Sequence, residues 1–196
     1  MSAGGDTLEQ AKKHDRKIMI TDIAIDKVPL VEVPGLTRDE CEMIACEHKH
    51  LLRTAKESNN SDEVLFVLTL DGMRKAVIMG DEHSVNIKNS PEACGIIMSA
   101  QRKNVALLHN HPSTNRFSLI DISILIRYEQ ISTLSVVTNQ GAVYILHKMS
   151  CFDYNKTVKL LKQRYDQYNT EAITHDAAVK MFLQECGKGG LSYAKG

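Results

Sequence analysis

Apolar and polar residues follow no period over residues 1–18, a polar stretch with Gly4 and Gly5 near its start, which reads as a tail or linker. Alternation begins in IMITDIAIDKVPLVEVP, residues 18–34, where Pro29 and Pro34 interrupt it. Proline cannot donate to a sheet ladder, so this stretch predicts short edge strands and not a central strand. The period changes at Thr37. Thr37 and Glu40 are spaced as a capping box, and behind them Cys41, Ile44, Ala45, His48, Leu51, Leu52 and Ala55 recur at helical spacing. This predicts a helix over 38–57, closed by SNNSD.

The run Val64, Leu65, Phe66, Val67, Leu68 is continuously apolar and suits a strand buried on both faces. Asp71-Gly72 is a turn signal, and KAVIMG follows as the second arm of a hairpin. Ser90 and Pro91 stand as N-cap and first residue of a helix running to about Lys103. VALLHNHP (105–112) is a short strand, and Ser118 caps a helix near 119–130. STLSVVTN and AVYILHK are strands joined near Gln140-Gly141. Residues 153–187 form two amphipathic helices split near Asn169-Thr170, with Gly187, Gly189 and Gly190 ending the second.

Strands and helices alternate through the middle of the chain. The pattern predicts an α/β or α+β layered domain, one mixed sheet flanked by helices. The division that follows is a polar tail or linker (1–18), a domain (19–150) and a C-terminal helical extension (151–196).

Composition narrows the classes. The 196 residues include 43% hydrophobic and 24% charged, ordinary globular values. Lys plus Arg and Asp plus Glu each number 24, so the formal net charge is zero, which weighs against a nucleic-acid partner. Five cysteines (41, 46, 94, 151 and 186) make an odd number without a CxxC pair, against a disulfide framework or a cysteine zinc ribbon. No apolar run approaches the roughly 18 residues of a membrane helix, and residues 1–17 lack the apolar core of a signal peptide. The expectation is a cytoplasmic chain, or part of a larger or phage-derived polypeptide, with no membrane partner. Oligomeric state is left open.

Candidate chemistry sits in LLHNHPSTNRFSLID, residues 107–121. His109 and His111 are two apart, and on a strand such residues project from one face, so two imidazoles can reach one point. Pro112 turns the chain. Ser118 as N-cap places Asp121 in the first helical turn, where the helix dipole favours a carboxylate. If that turn folds back over the strand end, Asp121 supplies a third ligand. Two histidines, a carboxylate and an open position make a catalytic zinc pattern. A further carboxylate must accept the proton of an activated water, and Glu63, at the mouth of the apolar strand, is the candidate.

The combination HxHP, a short loop and SxxD resembles the JAMM (MPN-plus, JAB) metallopeptidases, and His109-Asn110-His111-Pro112-Ser113 is most similar to the RadC-like branch. Glu63 and Asp71 are eight apart, as in that branch. The matching stretch covers roughly residues 36–148. The resemblance implies a JAMM/MPN-like, cytidine-deaminase-like fold over 19–150 and one zinc ion held by His109, His111 and Asp121. It makes Glu63 the general acid/base and Ser118 a hydrogen-bond donor to the developing oxyanion. It implies hydrolysis of a peptide or isopeptide bond in a protein substrate, ubiquitin-like proteins included. Two departures stand out. PSTNRF, between His111 and Ser118, is one residue shorter than usual, and SVVTNQGAVYIL replaces a DHxI-type strand. Two rival readings follow: a JAB-like binding or structural module of a phage-head or toxin-like polyprotein, and a RadC-like protein acting on DNA.

His14, His48, His50, His83, His147 and His175 lack partners at ligand spacing and read as structural or solvated. Lys188-Gly189-Gly190 is no phosphate loop, because no strand precedes it and no helix follows.

Overall fold

The computed structural model describes residues 17–196. The proposed tail is outside that range up to residue 16, and His14 with it. The described chain folds as α1 (Asp22–Asp26), α2 (Arg38–Ser58), β1 (Val64–Thr69), β2 (Lys75–Met79), α3 (Pro91–Ser99), β3 (Val105–His111), α4 (Leu119–Arg127), β4 (Ile131–Thr138), β5 (Val143–Lys148), α5 (Tyr154–Asn169), α6 (His175–Glu185) and β6 (Leu191–Lys195). It is an α+β arrangement around one six-stranded mixed sheet of order β2-β1-β3-β4-β5-β6. Only β3 and β4 pair in parallel, and α4 makes the crossover between them. The other four pairings are antiparallel.

Side-chain alternation along the strands builds two cores, one on each face. On the first face Leu65, Leu107, Leu134 and Val136 pack with residues of α3, α4, α5 and α6. On the second, Phe66, Leu68, Ala106, Leu108 and Val137 pack against Ile44, Leu51 and Leu52 of α2. Every residue of β1, β3 and β4 is buried, as their apolar runs require. The capping box at Thr37 is formed, with Thr37 N–H donating to Glu40 Oε2 (2.6 Å) and Glu40 N–H to Thr37 Oγ1 (3.2 Å).

Four expectations change. The strands expected over 18–34 do not form. Thr21 caps α1 through Ala24 N–H, and Val28, Val31 and Val33 are buried in the α2-side core. These side chains are anchors in that core, not members of a ladder. Helices α3 and α4 stop at Ser99 and Arg127, short of Lys103 and residue 130. One cause serves both: Lys103 and Asn104 N–H donate to Glu129 and Gln130 carbonyls, extending the β3–β4 contact and drawing both segments out of helix. Residues 191–195, read as the end of the helical extension, form β6 on the edge of β5. Gly190 makes the turn, with φ 77° and a Cβ position only 2.6 Å from Cys151 O.

Candidate metal centre

The site forms where β3 ends and α4 begins. In β3, Val105 and Leu107 face the α3–α4 side and Ala106 and Leu108 face α2. His109 and His111 continue the first set, so both imidazoles emerge on the α3–α4 face, and Asn110 faces the other way. Pro112 ends the strand, and Ser118 caps α4 by accepting from Asp121 N–H (3.1 Å). Asp121 thereby sits in the first turn of α4, folded back over the strand end.

The ligating atoms converge. His109 Nε2 and His111 Nε2 are 3.0 Å apart. Asp121 Oδ2 lies 3.8 Å from the first and 3.9 Å from the second. Bonds of roughly 2.0 Å at tetrahedral angles place ligand atoms about 3.3 Å from one another, so these separations suit a zinc-sized cation. Among the described residues this is the one group of three or more His, Cys, Asp or Glu side chains close enough to hold a metal. His111 Nδ1 is 2.9 Å from Asn115 O, a carbonyl that can only accept. The Nδ1–H tautomer is therefore fixed, and Nε2 presents a lone pair to the cluster.

Glu63 stands beside the three, its Oε1 3.8 Å from His111 Nε2. It is 9% exposed. Burial pushes its carboxyl up to about 7, the charge of His109 opposes this, and Asp121 and Asp81 add to it. Asp121 behaves in the opposite way. Burial raises its carboxyl, but His109, His111 and Ser118 outweigh that and hold it well below the usual carboxylate range. For the histidines, burial lowers both. Asp121 and Glu63 reverse this for His109, whose value ends above the ordinary one. His111, beside the charge of His109, stays low at about 4.

Ser118 is also in place, though its hydroxyl donates to Asp121 Oδ2 at 2.7 Å. It acts here as cap and as clamp on the Asp121 carboxylate. The shortened PSTNRF loop leaves Ser118 and Asp121 in contact with the cluster, and it supplies the Asn115 carbonyl. That partner escaped sequence reading, because a backbone carbonyl carries no residue signature. So did Lys17, paired with Asp62 (2.6 Å) on the rim, and the side-chain amides of Asn110 and Asn139, joined at 2.8 Å.

The other histidines lie apart. His48 bonds Ser135 Oγ (2.8 Å) and His147 bonds Thr133 Oγ1 (3.0 Å), both in the interior. His175 receives Leu119 N–H at 3.4 Å, which ties α6 to the start of α4. His50 and His83 are at the surface.

The cluster opens into a cleft of about 1800 Å³ between α3 with the 82–88 loop on one side and α4 with the start of α6 on the other. Small-molecule pockets occupy about 300–1,000 Å³, less than this cleft. Leu65, Leu107 and Leu134 contribute to its floor, and the well-exposed Met98 and Ile120 to its walls. No helix among the described residues is long and apolar enough to cross a membrane. Comparisons with protein-family models, with curated proteins and with solved structures found no match to this chain.

Proposed function

We propose that the protein is a zinc-dependent hydrolase of amide bonds of the JAMM type, acting on a polypeptide laid in the cleft beside His109, His111 and Asp121. The observation that carries this reading is the convergence of three electron-pair donors at one point: two Nε2 atoms 3.0 Å apart and a carboxylate oxygen within 3.9 Å of both. The pairing of β3 with β1 and β4 holds the histidines, Asn115 O orients His111, and Ser118 orients Asp121. Zinc held there supplies Lewis acidity toward a carbonyl and brings the acidity of water to about neutral.

The chain's own groups complete the chemistry. Glu63 Oε1 lies within reach of a water at the cluster, and a carboxyl near 7 can take a proton and return it at neutral pH. It passes that proton to the departing amine nitrogen. Ser118 Oγ–H, next to Asp121, is a hydroxyl donor available to a developing oxyanion and must turn from Oδ2 to serve it. Cleft size favours a peptide or protein over a small amide, and a ubiquitin-like substrate is one member of that class.

Metal analysis of protein purified without chelator tests the reading. The expected result is about one zinc per chain, located by anomalous scattering between His109, His111 and Asp121. Absence of metal after exposure to excess zinc overturns it.

A further inference from the structure

The ladder between β1 and β3 ends early. Its last pair at this end is Leu65 with His109. One more step in the same antiparallel register would set Val64 against Asn110, and another would set Glu63 against His111. Instead a side chain takes over from the ladder. Asn110 Oδ1 accepts from Val64 N–H at 2.7 Å, and Asn110 Nδ2 donates to Asp62 O at 3.0 Å. The two bonds grip the backbone on either side of Glu63. Asn110 is fully buried and also donates to Asn139 Oδ1 (2.8 Å). Asn139 in turn donates its own N–H to His111 O (3.0 Å), and its Nδ2 donates to Ser61 O (2.8 Å) and Ile18 O (2.7 Å).

We infer that Asn110 is a positioning residue: its side-chain amide, inserted where the β1–β3 ladder stops, sets the distance between Glu63 and the two histidines that flank it in sequence. A direct backbone pair would bring the strands to ladder spacing and crowd the carboxylate against His111. An apolar residue would leave Val64 N–H and Asp62 O without this partner, and the Glu63 backbone would then be held only from its other side, by Asp81 O, Gly80 N–H and the Asn59 amide. An amide supplies the one acceptor and the donors that this gap needs. The same residue thus joins the metal ligands, by the chain, to the base, by hydrogen bonds. This inference rests on the zinc hydrolase reading.

A double-mutant cycle tests it on the zinc-loaded chain, with acetohydroxamic acid as probe. A hydroxamate binds zinc through its oxygens and gives its proton to a neighbouring carboxylate, so its affinity reports where Glu63 stands. Zinc affinity is measured in parallel by competition with a chromophoric chelator. Asn110→Ser is expected to keep zinc affinity within about threefold and weaken the hydroxamate by at least tenfold in the Glu63 background. In the Glu63→Gln background it should cause no further loss. Equal losses in both backgrounds, or a loss of zinc affinity that matches the loss of hydroxamate, overturn the inference and leave the hydrolase reading standing. An unaltered chain that takes up no zinc overturns both. If Asn110→Ser does not melt cooperatively, Asn110→Thr carries the same cycle, since it also keeps an oxygen to accept from Val64 N–H.

Discussion

Glu63 and Asp121 have the same functional group and opposite electrostatics. Both are desolvated, which alone raises a carboxyl. Asp121 has two imidazoles and the Ser118 hydroxyl around it and stays ionised. Glu63 has less compensation and ends near 7. The surroundings therefore hold Asp121 as an anion and raise Glu63 toward neutral pH, as the proposed proton transfer needs. Glu63→Gln is expected to retain zinc and the melting temperature while turnover on a peptide substrate falls by 10³-fold or more, about 4 kcal/mol of transition-state stabilisation. Unchanged turnover would remove Glu63 from the mechanism. Asp121→Asn should act on binding, weakening zinc by at least tenfold in a chelator competition, because a neutral amide oxygen replaces the anionic ligand.

Two interior histidines outside the cluster add to the sensitivity to acid. Burial depresses His48 to about 3, with His109's charge adding to the effect, and burial depresses His147 to about 4 against the pull of Glu40. Both lie below the ordinary 6.5. The unfolded chain thus binds more protons than the folded one below pH 6.5. Stability from these groups is fully present above pH 6.5 and is lost as pH falls toward 4 and 3, by an amount of the order of a few kcal/mol. Urea melts from pH 7 to 4.5 should show a falling midpoint, and His147→Gln should flatten that slope. A slope unaltered by the substitution would assign the acid sensitivity elsewhere.

Elements were legible where local chemistry and tertiary packing agree. The Thr37 capping box, the Asp71-Gly72 turn and the cap at Ser90 act within a few residues, and each marks an element found at that place. Gly72 has a φ of 71°, the left-handed conformation a tight turn uses. The spacing of His109 and His111 on a strand, and of Ser118 and Asp121 across a cap, is equally local, so their convergence could be anticipated. What stayed hidden depends on partners remote in sequence. Val31 and Val33 are spaced as on one face of a strand, but only the position of α2 decides that they and Val28 are anchors. LSYAK is a strand because β5 leaves an open edge beside it. Ser118 shows local and remote roles at once. Ser118→Ala should cost about 1 kcal/mol as a lost N-cap. It should also loosen Asp121, giving a drop in zinc affinity that Thr37→Ala, a cap of similar strength far from the cluster, does not produce.

At the scale of the molecule, one sheet separates two tasks. The α2 face carries the larger share of the N-terminal anchoring, and the α3–α4 face carries the cleft. The ends of β1 and β3 are where the two meet, since Glu63, His109 and His111 are all placed there. Metal held at this junction ties α4 to β3 and should raise the stability of the whole chain. At a free zinc concentration one hundred times its dissociation constant the gain is about 2.7 kcal/mol. Chelator should therefore lower the melting temperature by several degrees, and zinc should restore it.

The parallel β3–β4 pair has a consequence for how the protein comes into being. All three candidate metal ligands lie in the single β3–loop–α4 crossover, residues 109–121, and Glu63 arrives only when β1 docks against β3. Closing a short crossover is entropically cheaper than joining strands from distant parts of a chain. If the proposed zinc reading holds, an ion would be captured during refolding before Glu63 is in place, and a metal-loaded, catalytically silent species would precede the finished molecule. Stopped-flow refolding with cobalt as a coloured substitute should show visible absorbance rising ahead of hydroxamate binding. Simultaneous appearance of the two signals would mean that the crossover and β1 assemble as one cooperative unit.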